Sequence, residues 1–145
     1  MVVSSVLVRR DVLGDERFDA ALSAAADWDM WLRLASKTSF GFVPQPVTQY
    51  RLHGSNMSRD IERMRRDELR VIDRLLVREG DPGIRHLARR VRNRVIKDLG
   101  HCAYERRDYR SARDAFLLAW SDLGWAELRR LGASALPALA ASLRR

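Results

Sequence analysis

The chain has 145 residues, 46% of them hydrophobic, and a formal net charge of +8. It is long enough for one ordinary domain or two small ones and apolar enough to bury a core, which excludes a wholly disordered chain. A single cysteine, Cys102, excludes an internal disulfide, a Cys-X-X-Cys redox pair and a cysteine-based metal cluster.

Residues 2–8 hold Val2, Val3, Val6, Leu7 and Val8, a β-branched run closed by Arg9-Arg10-Asp11, and predict a strand. The same stretch has neither the basic head nor the cleavage site of a secretory leader, which predicts a cytoplasmic chain. A turn or short helix follows. Over residues 27–36, Trp28, Trp31, Leu32 and Ala35 fall at i, i+3, i+4 and i+7, the pattern of an amphipathic helix, with Asp27 in the N-cap position. Residues 40–44 and 47–51 predict two short strands, their connection restricted by Pro44 and Pro46. The first 58 residues therefore read as mixed α and β.

After residue 58 apolar positions recur only at helical spacing, so residues 59–145 predict an all-α region. Ile61, Met64, Leu69, Ile72, Leu75 and Leu76 mark one helix, which Gly80-Asp81-Pro82-Gly83 stops. Ile84, Leu87, Ala88, Val91 and Val95 mark the next. Leu99-Gly100, Tyr109, Ala112, Phe116 and Ala119 resemble one tetratricopeptide unit, a hairpin over about residues 96–122. Trp120, Leu123 and Trp125 are its expected seam. Solenoids of this type need about three repeats, so the expectation is one hairpin packed on its neighbours. The weakly polar run 131–143 contains Pro137 and falls short of the roughly twenty residues a membrane span needs.

Residues 1–58 carry six basic and six acidic side chains and residues 59–145 carry twenty-one and thirteen, so the whole excess lies in the helical part. Such a face is read as merely solvated, or as attracted to the anionic inner face of a plasma membrane or to nucleic acid. No nucleic-acid reader motif accompanies the charge.

Taken in order, Ser4-Ser5-Val6-Leu7-Val8-Arg9-Arg10, Phe18-Asp19, Asp27-Trp28-Asp29-Met30-Trp31-Leu32-Arg33-Leu34 and Tyr50-Arg51-Leu52-His53 resemble the acceptor-side half of a family 2 glycosyltransferase, over about residues 2–59. The resemblance implies an α+β fold class: a partial, Rossmann-like GT-A segment over residues 1–58, followed by the helical region. It implies that Asp27 takes the proton from an acceptor hydroxyl, whose oxygen then attacks the anomeric carbon of a nucleotide sugar with inversion. Ala26 stands where the family usually has a glutamate. Arg51 and His53 would face the donor diphosphate, with His53 also a candidate metal ligand, and Ser5, Trp28 and Trp31 would contact the acceptor.

The resemblance further implies a divalent cation, manganese or magnesium, in the complete enzyme and none on this chain alone. Asp27-Trp28-Asp29 spells the family's Asp-X-Asp metal motif, but it opens a helix where the family's motif ends a strand. The implied partners are a nucleotide sugar and a glycan or lipid-linked acceptor, for a bacterial surface polysaccharide or glycoconjugate. The chain is expected to be the carboxy-terminal portion of such an enzyme, lacking roughly 100–200 upstream residues and silent on its own. On the residues alone other readings stay open: Asp27 as a helix cap, one of the two indoles as core, Arg51 as a surface cation, His53 as a loop histidine. From another class, the chain is a non-catalytic helical protein-interaction module, and unpaired strand edges would favour self-association.

Overall fold

A computed structural model describes residues 3–49, 51 and 60–121. They contain a 3-10 turn at Val3–Ser5 and five α-helices: α1 (Arg10–Leu13), α2 (Ala26–Ala35), α3 (Ile61–Arg78), α4 (Pro82–Glu105) and α5 (Tyr109–Ser121). No strand occurs among the described residues, which overturns the expected α+β, Rossmann-like segment. Within the run at residues 2–8, Val3–Ser5 form the 3-10 turn and residues 6–8 have no regular secondary structure, nor do residues 40–44, 47–49 and 51; residues 2 and 50 lie outside the described residues.

The reason is that a strand is a pairing before it is a propensity: its N–H and C=O groups need a ladder partner. Residues 5–9 and 39–48 line one open cavity of about 840 Å³, facing each other across a gap. Pro44 and Pro46 also remove two backbone donors from the second segment.

The chain divides into two compact units, Met1–Arg78 and Glu79–Arg145. The first unit includes α3, which packs on α2. Leu22, Ala25 and Val71 form a buried cluster, and Ala26, Trp28 and Leu32 pack against it. Met30, Leu34 and Ile72 are also buried in this unit.

The packing of α2 on α3 is fastened by a carboxylate. Asp67, 2% exposed, accepts from the Ala24 amide (2.8 Å) and the Ser23 hydroxyl (3.0 Å), and Arg70 Nη1 lies 3.0 Å from its other oxygen. Arg63 Nε donates to the same Ser23 hydroxyl at 2.7 Å. Burial alone would raise the Asp67 pKa, but the Ala24 amide, the Ser23 hydroxyl and amide and the Arg70 charge outweigh it and hold the carboxyl below its ordinary range.

In the second unit, Asp81 caps α4 by accepting from the Ile84 amide at 2.9 Å, and Pro82 takes the first helical turn, where a missing N–H costs nothing. Arg107, at φ 63°, turns the chain, and Asp108 accepts from the Ser111 amide at 3.1 Å to open α5. The two helices approach closely because small residues line the contact: Gly100, Ala103, Ala112 and Ala119 are all buried. A methyl group on Gly100 would sit 2.9 Å from the Phe116 ring.

Two predictions follow from this packing. Gly100→Ala gains about 1 kcal/mol of helix propensity but must displace Phe116, so a net loss of about 1–2 kcal/mol is expected in urea unfolding of the second unit. Asp67→Ala removes the buried acceptor of the Ser23 hydroxyl and of the half-buried Ala24 amide and is expected to cost about 2–3 kcal/mol. Because the folded pKa of Asp67 is depressed, its contribution is present above the unfolded carboxylate value of about 3.9 and is lost as pH falls through the folded value. The difference in stability between wild type and Asp67→Asn, large at pH 7, should therefore shrink in acid.

Candidate functional site

Three of the residues singled out from the sequence come together on α2. Asp27, Trp28 and Trp31 line one open pocket of about 380 Å³, with Leu32, Ala35 and Phe40 completing it. The helical period accounts for this, since positions 27, 28, 31 and 35 project from neighbouring strips of one face. Phe40 enters from the segment after the helix and also lines the larger cavity between residues 5–9 and 39–48.

Asp27 is not the N-cap. The helix begins at Ala26 and the N-cap residue is Ala25, which makes no side-chain capping bond. Asp27 thus lies in the first turn, half-buried, and accepts from the Trp28 amide at 2.8 Å. The entrance to α2 is held from outside instead, through the bond from the Ala24 amide to Asp67. That leaves the Asp27 carboxylate in the first turn, at the positive end of the helix dipole.

The Trp31 indole is set by Phe18, whose ring meets it edge-on at 6.1 Å and 85°. Its Nε1 is buried and has no hydrogen-bond partner among the described residues. A buried indole N–H normally finds an acceptor, which this one lacks among the described residues. Trp28 is half-buried and also packs on the core cluster, so its indole serves the fold as well as the pocket.

Asp29 has a different task. It is 3% exposed and takes Arg33 Nε at 2.8 Å, one helical turn on. Arg33 also pairs with Glu16 and donates to the Arg17 carbonyl at 2.7 Å, and Lys37 pairs with Glu16 in turn. The clamp ties α2 to the loop after α1 and leaves Asp29 committed to Arg33. Sequence reading passed over Arg33 as part of the helical motif, although its i+4 spacing from Asp29 was the available signal. For Asp67 the i+3 spacing to Arg70 was the only such signal, because its other partners, Ser23 and Ala24, lie more than forty residues away.

The remaining expectations do not converge on this pocket. Ser5 lines the larger cavity, Arg51 is exposed, and His53 lies outside the described residues. A divalent cation finds no donor set here, since no group of three His, Cys, Asp or Glu stands together among the described residues and Asp29 is engaged by Arg33. The chain matches no protein-family model, no curated protein and no solved structure.

The clamp makes its own prediction. Arg33→Ala strands Asp29 as a buried, uncompensated charge and is expected to lower stability by about 3 kcal/mol, whereas replacing both by apolar side chains, Asp29→Leu with Arg33→Met, should restore most of the loss. Thermal unfolding of the three proteins checks the order.

Proposed function

We propose that the α2 pocket is the acceptor-binding part of a glycosyl-transfer site, with Asp27 as its base. The observation that supports this is the juxtaposition of one accessible carboxylate with the Trp28 and Trp31 indoles in a single open pocket. Pyranose rings present C–H faces that pack on indoles, and their hydroxyls need a polar group at the rim. Asp27 supplies the acceptor for one hydroxyl, and the indole faces supply the apolar contact.

In the reaction the Asp27 carboxylate accepts the proton of the acceptor hydroxyl as that oxygen forms its bond to the anomeric carbon. The bond from the anomeric carbon to the nucleotide diphosphate breaks, and the electron pair leaves with the diphosphate. Stabilising that leaving group is the task of groups outside this pocket. The order of motifs that resembles family 2 glycosyltransferases supports the same role for Asp27.

A second reading, a helical protein-interaction module, is favoured by one feature of the other unit. Tyr104, Tyr109, Phe116, Leu117 and Trp120 line an apolar groove of about 450 Å³ on the α4–α5 hairpin, and Trp120 is 58% exposed. Exposed aromatic side chains in one groove mark binding surfaces more often than solvated ones.

Saturation-transfer NMR of the chain with a panel of free mono- and disaccharides tests the first reading. Transfer to the ring protons of a subset of the panel is expected, weakened about tenfold in Asp27→Asn and in Trp28→Phe, in line with the loss of one polar or one stacking contact. If no sugar receives saturation, or both variants bind as wild type does, the pocket is not a saccharide site.

A further inference from the structure

The two longest helices are both rich in arginine but use it differently. On α3, Arg65, Arg66, Arg70 and Arg74 each meet a carboxylate, those of Glu68, Glu62, Asp67 and Asp19. On α4, Arg89, Arg90, Arg94 and Lys97 are exposed and meet none among the described residues. The spacing of Arg90, Arg94 and Lys97 is i, i+4 and i+7, which puts the three on one face over about 10 Å of helix axis. Exposed His86 and His101 prolong the same row at its ends.

The opposite side of α4 is buried through Ala88, Val95, Ile96 and Ala103. The helix is therefore held by its apolar side while a straight row of cations faces solvent. The acidic residues of α4 are Asp98 and Glu105, against six basic ones. Keeping several like charges together without counter-charges is unfavourable in the isolated protein and is relieved by an anionic partner.

We propose that this row docks the protein on an anionic phospholipid surface. A straight row on a convex helix meets a plane with every charge at once. Leu87, 60% exposed, stands beside the start of the row, where an apolar side chain can enter the headgroup boundary. Arginine can also read guanine edges, so duplex DNA is the competing partner that the test separates. No helix among the described residues is long and apolar enough to cross a membrane, so the contact rests on charge and shallow apolar insertion. The inference is independent of the α2 pocket.

The test is co-sedimentation of the full chain with phosphatidylcholine vesicles that contain or lack phosphatidylserine. Binding is expected only to the anionic vesicles and should fall with added salt. Each cation at the surface contributes a factor of roughly five, so the triple variant Arg90→Gln, Arg94→Gln, Lys97→Gln should bind roughly 100-fold more weakly. A charge-matched triple variant at exposed, paired positions, Arg9→Gln, Arg66→Gln, Arg113→Gln, should stay within roughly threefold of wild type. A variant with Arg90→Lys and Arg94→Lys should retain binding, and circular dichroism should show the same helix content throughout. Equal binding to neutral vesicles, equal loss in the two triple variants, or no loss in the α4 variant overturns the proposal. So does displacement from anionic vesicles by duplex DNA at matched phosphate, which would make a nucleic acid the partner.

Discussion

The Asp67 carboxylate is buried on α3 and takes two donors from the turn that leads into α2, the Ser23 hydroxyl and the Ala24 amide. That arrangement fixes how the chain enters α2. The helix starts at Ala26 behind an alanine in the N-cap position that makes no side-chain capping bond, and within its first turn Asp27 accepts from the Trp28 amide. The Ala24 amide, in the turn just before the helix, is satisfied by a residue more than forty positions along the chain. The cost of burying a carboxylate is offset because the donors and Arg70 surround it on both oxygens.

Everything at the α2 pocket follows from how that helix is held. One end is fastened to α3 through Asp67, and the middle is clamped to the preceding loop through Arg33, Asp29 and Glu16. Between these restraints the Leu22, Ala25 and Val71 cluster fixes the rotation of α2 about its axis. Asp27 and Trp31 then line the pocket beside Trp28, which packs on that cluster, with Phe18 holding the Trp31 indole edge-on. A site built on a helix with three independent restraints is preorganised, which a base beside a sugar ring requires.

The second unit applies a different solution. Its helices come together through Gly100 and a set of alanines, so dispersion at short range replaces the larger side chains of the first unit. Charge is also distributed by a different rule. On α3 the carboxylates of Glu68, Glu62, Asp67 and Asp19 offset the arginine charges, while the α4 row meets no carboxylate among the described residues. Composition describes both helices as arginine-rich; the pairing separates a structural use from a surface one.

Several features were legible in the linear chain because they depend on neighbours within a turn or two. The helical spacing of Trp28, Trp31, Leu32 and Ala35, the Gly80-Asp81-Pro82-Gly83 break and the small residues of the α4–α5 contact are of this kind. Helix periodicity and capping are local physics, so the sequence determined that these helices exist, and it placed Asp27 beside two indoles. Tertiary structure decided the rest. Whether residues 2–8, 40–44 and 47–51 become strands rests on a ladder partner, and β-branched composition cannot supply one. The first unit extends through α3 because of Asp67 and Val71, whose partners are distant in sequence, and Ser5 and Asp27 line different cavities for the same reason. Long-range pairing is a property of three-dimensional proximity, and a one-dimensional pattern carries it only where the two partners fall within a turn or two of each other.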